Sequence, residues 1–194
     1  MNVDVVIASY REDLLWTKFI PESWRTYLYC VDPARTDFPE GLTPVLLPNG
    51  GREAGQWLQH IVRNYGKFQD WTVFLQGMPF PHVPTGLIRL MLTENFDHPI
   101  CYIEGRPPVK GAMAIKPSGQ IKEALDHAYQ GKEIPPPITF CCGAQFYVHK
   151  DVIMAHPKEF YDRLSENAYD PKYFSFGHMM EPVWGCVFDW QKFV

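Results

Sequence analysis

Polar side chains standing where buried runs stop have the most chemical scope in this sequence. Arg52 and Glu53 follow Gly50 and Gly51 in "LLPNGGREAGQWLQHIVRNYG". From Trp57 onward, Leu58, Ile61, Val62 and Tyr65 recur at spacings of three and four, the mark of a helix with one apolar face. Glu53 suits the positive end of that helix's dipole, whereas Arg52 does not. A guanidinium held there needs a partner, either an internal carboxylate or an anionic ligand. The unpaired N–H groups of a first helical turn favour the anion. Glu181, in "MEPVW", has two readings of its own. A carboxylate beside Pro182 can cap a helix start, or it can act as a general base that takes a hydroxyl proton.

Strands must place these groups. "VDVVIASY" (3–10), "TYLYCVD" (26–32) and "DWTVFLQG" (70–77) are continuous apolar runs, as expected of strands buried on both faces. They end at Tyr10 and Arg11, at Asp32, and at Gln76, with His82 beyond the turn "MPFPH". In an open parallel sheet, ligands bind beyond the carboxyl ends of the strands. Tyr10, Arg11, Asp32, Arg52, Gln76 and His82 are therefore expected to border one cleft. Asp32 suits ribose or base hydroxyls, and Arg52 or Arg11 suits phosphate. His82 either contacts phosphate or metal or closes its turn, and Gln76 serves a ligand or an ordinary loop hydrogen bond.

Helices are expected at about 84–93, 118–131, 150–155, 157–167 and 176–190, with strands at 100–105 and 138–150 and a Pro-rich loop at 33–50. Strand alternating with helix predicts a single α/β domain over 1–194, its mostly parallel central sheet flanked by helices. Residues 3–131 form a nucleotide-binding-like half. Residues 138–190 supply a strand and helices on the acceptor side.

The 194 residues are 46% hydrophobic and 21% charged, ordinary for a globular chain with one core. A net charge of -4 argues against a nucleic-acid binder with a broad basic patch. Five cysteines without a CxxC pair are expected to be reduced and buried, which points to a cytoplasmic protein. Cys141 and Cys142 are adjacent, so a strand would send them to opposite faces, and both are read as structural. His149, His156 and His178 show no metal-ligand spacing. Asp4 is expected to face solvent, and Lys110 and Lys116 to lie in a solvated loop. With a strand starting almost at Met1 and no long apolar run, neither a signal peptide nor a membrane span is expected.

The runs "VVIASYREDLLW", "LPNGGREAGQWLQHIVRNY", "DWTVFLQGMPFPH", "CCGAQFYVHKDVI" and "MEPVW" together resemble the domain of unknown function 3431 family over nearly the whole chain. More distantly, the opening strand and loop, with the late "GAQFYVHKDVI" block and the acid before Trp184, resemble a GT-A glycosyltransferase. That second resemblance implies a nucleotide-diphospho-sugar transferase-like fold. It also implies transfer of a sugar from a nucleotide-sugar such as a UDP-sugar to an acceptor hydroxyl. Such enzymes carry an Asp-x-Asp metal pair where this chain reads Gln76-Gly77-Met78, so no metal ligand is assigned there. Glu181 is then the catalytic residue. Tyr10, Arg11, Asp32, Arg52, Glu53, Gln76 and His82 form the donor site, with Arg52 offsetting the diphosphate. The alternatives are a non-catalytic nucleotide- or glycan-binding module of the same fold and a transferase acting on modified nucleic-acid bases.

Overall fold

The computed structural model describes residues 1–103, 117–135, 145–173 and 175–188. Its centre is β1 (Val3–Ser9), every residue of which is buried. β1 pairs in parallel with β2 (Arg25–Cys30) on one side and with β4 (Trp71–Gln76) on the other. β2 carries β3 (Pro44–Leu46), also parallel. Beyond β4 comes β6 (Phe146–His149), which runs antiparallel both to β4 and to the edge strand β5 (Ile100–Tyr102). The order across the sheet is β3-β2-β1-β4-β6-β5, with only β6 reversed.

Side-chain parity divides the core into two layers. Val6, Ala8, Phe74 and Phe146 face one way, onto Trp57, Leu58 and Ile61 of α1 (Arg52–Asn64) and onto Tyr161 and Leu164 of α5 (Lys158–Tyr169). Leu125 and Ala128 of α3 (Gly119–Tyr129) join this layer. Val5, Ile7, Val73 and Leu75 face the other way, onto Leu14, Trp16 and the Leu87 and Leu90 side chains of α2 (Pro84–Thr93). Both faces of the sheet are covered, which is why its strands read as unbroken apolar runs.

Several elements differ from the sequence expectation. β3 lies inside the Pro-rich stretch. Its three residues gain strand geometry from pairing with β2, a tertiary effect that a short stretch does not announce. The late strand sits between β4 and β5, so the carboxyl-terminal segment shares the central sheet. The helix expected at 176–190 is three short pieces among the described residues: α6 (Phe176–Met180), a 3-10 turn (Glu181–Val183) and α7 (Trp184–Val187). Pro182 lacks the N–H that a continuous helix needs there. The helix pair expected after β6 is present as α4 (Lys150–Met154) and α5. Residues 104–116, with Lys110 and Lys116, and 136–144, with Cys141 and Cys142, lie outside the described residues. Cys30, Cys101 and Cys186 are buried, and no helix among the described residues is long and apolar enough to cross a membrane.

Asp4 is fully buried, against the expectation that it faces solvent. The register of β1 on β2 sets it opposite Arg25, whose Nε donates to Oδ1 at 2.7 Å and Nη2 to Oδ2 at 3.0 Å. The Gln69 N–H donates to Oδ2 as well, at 2.9 Å. A buried carboxylate is tolerable only when so satisfied. Asp4→Ala removes charge-assisted bonds worth about 2 to 3 kcal/mol in total after allowance for the partly exposed arginine. Urea unfolding is expected to show a lower midpoint with an unchanged slope. A midpoint equal to wild type would make the pair energetically idle.

Candidate functional site

A cavity of about 430 Å³ opens where β1 and β4 end and α1 begins. Ser9, Tyr10 and Glu12 line it from the first strand end, Gln76, Met78 and His82 from the fourth, and Asn49, Arg52, Glu53 and Gln56 from the helix mouth. This is the location that an open parallel sheet predisposes to ligands.

The helix mouth is built by close approach. Gly51 has φ +66°, and a Cβ there would lie 2.6 Å from the Ala168 Cβ on α5. Arg52 follows at φ +52°, a left-handed conformation that costs an ordinary residue about 1 to 3 kcal/mol. The surroundings enforce it. A Cβ on Gly177 of α6 would lie 2.6 Å from the Arg52 Cβ, so only glycine lets the arginine cross at that point.

Arg52 has an unexpected partner. Its Nη1 donates to the ring of His178, meeting Nε2, with Nδ1 at 3.1 Å. The nearest carboxylate contact, Glu53 Oε2 to Arg52 Nε, is 3.8 Å, beyond hydrogen-bonding distance. Half of the Arg52 side chain is exposed. Glu53 itself is nine-tenths buried, and its Oε1 has no hydrogen-bond partner among the described residues. Glu181, half-buried at the end of α6, has its carboxyl pKa pushed upward by burial and then by the negative charge of Glu53. His178, Arg52 and His82 oppose that rise. These four groups come from α1, α6 and the loop after β4, so Glu181 shares the electrostatic environment of the cleft.

The strand ends are braced from beneath. The Ser9 N–H donates to Gln56 Oε1 at 2.9 Å, tying β1 to α1. Glu12 Oε2 accepts from the Tyr10 N–H at 2.7 Å and from Ser9 Oγ at 3.2 Å. That same oxygen stands 2.6 Å from where a Cβ on Gly77 would be, which accounts for glycine there. The Gln76 N–H donates to Gln145 Oε1 at 3.2 Å, whereas the Gln76 amide and the His82 ring have no hydrogen-bond partner among the described residues.

Of the six residues expected at one cleft, Tyr10, Arg52, Gln76 and His82 line the cavity; Glu53 lines it too, and Glu181 lies outside the lining but within reach of the charges of Glu53, Arg52 and His82. Arg11 and Asp32 stand aside from it. Arg11 Nε donates to Asp32 Oδ2 at 2.7 Å, and the Ala34 N–H donates to Oδ1 at 3.0 Å. The Arg11 bond comes first among the causes that lower the Asp32 pKa. Arg11 borders a neighbouring hollow with Arg35 and Phe38. Glu12, Asn49, Gln56 and His178 are further polar groups at the site. Gln56 had a signal, a polar residue beside the apolar face of α1. So did His178, one helical turn before Glu181. No group of three or more His, Cys, Asp or Glu suited to a metal ion occurs among the described residues.

The family model described as "Protein of unknown function (DUF3431)" matches residues 5–83 and 99–194. The chain belongs to that family. No curated protein matches it.

Gly55 offers a test of the helix mouth. In an open helix interior, alanine is preferred to glycine by about 1 kcal/mol. Here a Cβ would lie 2.2 Å from the Gly50 carbonyl oxygen, a backbone atom that cannot yield cheaply. Gly55→Ala is therefore expected to lower Tm rather than raise it. A higher Tm would show that the turn has room to spare.

Proposed function

For this member of the DUF3431 family, we propose that the cleft transfers a glycosyl group from a nucleotide-sugar to an acceptor hydroxyl. The observation that carries the reading is Arg52. It is a half-exposed guanidinium at a helix mouth with no carboxylate at hydrogen-bonding distance among the described residues. Arg52 and the free N–H groups of the first turn of α1 receive the diphosphate, whose charge grows as it leaves. Its planar fork of donors suits phosphate oxygens better than a lysine would.

Glu53 and Glu181 put carboxylates in excess beside that one arginine. An excess of negative charge fits the other half of the reaction, because the sugar carbon gains positive, oxocarbenium-like character as its bond to the phosphate oxygen breaks. Glu181 takes the proton of the acceptor hydroxyl as the new carbon–oxygen bond forms, and the diphosphate departs with the electron pair of the old one. Burial and the neighbouring Glu53 charge make Glu181 a stronger base than an ordinary carboxylate. The Gln76 and His82 side chains, both without hydrogen-bond partners among the described residues, are placed to orient the sugar or phosphate.

A base must be ionised, so a raised pKa moves the loss of activity to higher pH. The acid limb of kcat/KM is expected above the ordinary 4.5, and Glu181→Gln is expected to lower turnover. The loss should be about 10² to 10⁴-fold, with nucleotide affinity retained. A thermal-shift screen of nucleoside diphosphates and nucleotide-sugars identifies the donor, since a ligand at 100 times its Kd adds about 2.7 kcal/mol. Binding without consumption of any nucleotide-sugar would leave a binding module of the same fold. No shift with any of them would end the reading.

A further inference from the structure

His178 is the one polar partner that Arg52 has at hydrogen-bonding distance among the described residues. A guanidinium only donates, so the ring nitrogen facing it must present a lone pair. Arg52 thus holds His178 as a hydrogen-bond acceptor. The charge balance around the pair is unfavourable to an anion. Arg52 is flanked by Glu53 on α1 and by Glu181 one helical turn after His178. One fixed cation against two carboxylates holds a diphosphate poorly. A second cation is needed.

We propose that His178 is that second cation, and that it is created by the ligand. A phosphate group replaces His178 on the Arg52 fork. The freed ring nitrogen takes a proton from solvent, and His178 then donates to the same phosphate. Arg52 and protonated His178 together offset the Glu53 and Glu181 charges, and the phosphate is held from two sides. This rests on the reading of the cleft as a nucleoside-diphosphate site. The other titratable group acting on this corner is His82, from the loop after β4.

Gly177 sets the geometry. Its missing side chain leaves room for the Arg52 Cβ and Cγ, which a Cβ would meet at 2.6 and 2.9 Å. The Gly51 carbonyl oxygen, at 2.8 Å from the same point, closes the other side. The backbones that carry Arg52 and His178 are therefore held across one tight crossing of α1 and α6, which leaves the guanidinium and the imidazole facing one another while their ends stay free to part.

The test is calorimetric titration with UDP at pH 7, in buffers of different ionisation enthalpy, on wild type, His178→Gln and His178→Phe. Glutamine accepts from Arg52 and donates to phosphate but takes up no proton. Phenylalanine does neither. Wild type is expected to take up more protons than His178→Gln, a difference from which the ligand's own protonation cancels. His178→Phe is expected to bind roughly tenfold more weakly or worse, with His178→Gln between the two. Equal proton uptake in wild type and His178→Gln, or wild-type affinity in His178→Phe, overturns the proposal while leaving the glycosyl-transfer reading intact. The expected pattern without consumption of any nucleotide-sugar fells that reading and leaves the clasp standing. A wild type that binds neither UDP nor any other nucleoside diphosphate overturns both.

Discussion

The crossing of the Gly50–Arg52 turn with α5 and α6 is the constraint on which the cleft depends. Three backbones meet there with no room for a β-carbon at Gly51, Gly55 or Gly177. Packing this tight sets Arg52 in a left-handed conformation that its side chain would otherwise resist. The strain is local, and the burial of Trp57, Leu58 and Ile61 on the sheet offsets it. The result is a half-exposed guanidinium whose neighbours are a histidine and, at 3.8 Å, the Glu53 carboxylate.

The remainder of the fold holds that crossing against the strand ends. A shift of one residue would send each strand side chain to the opposite layer, so the register is held by how the side chains fit the two different layers. Gln56 connects α1 to the last residue of β1, and Gln145 connects the end of β4 to the chain entering β6. The reversed strand β6 brings the carboxyl-terminal segment back across the sheet, and with it α6 and Glu181. Groups from the first half of the chain and from its last twenty residues thereby meet at one opening.

Much of this scaffold was legible because long buried runs announce themselves. β1, β2, β4 and α1 carry strong patterns that tertiary context had no reason to override. β3 was not legible, since three residues have no period. The position of β6 between β4 and β5 depends on pairing partners far away in sequence. Asp4 was misread for the same reason: only the register of β1 against β2 shows that Arg25 stands beside it. Within the site, nothing local signalled that a left-handed conformation runs from Gly51 into Arg52. His178 looked unattached because its partner lies 126 residues earlier. Arg11 and Asp32 stood at the right strand ends, yet they face one another, a choice that side-chain reach decides and strand position does not.

The claim at the centre is that a nucleotide-sugar enters at the carboxyl ends of β1 and β4, beneath the mouth of α1. Hydrogen–deuterium exchange with and without a saturating UDP-sugar addresses it without presuming turnover. Slower exchange is expected together in peptides spanning 8–13, 49–57, 76–83 and 176–183, with the far sheet edge around 95–102 unchanged. Protection confined to that far edge, or bound ligand with no protection at the helix mouth, would contradict the account.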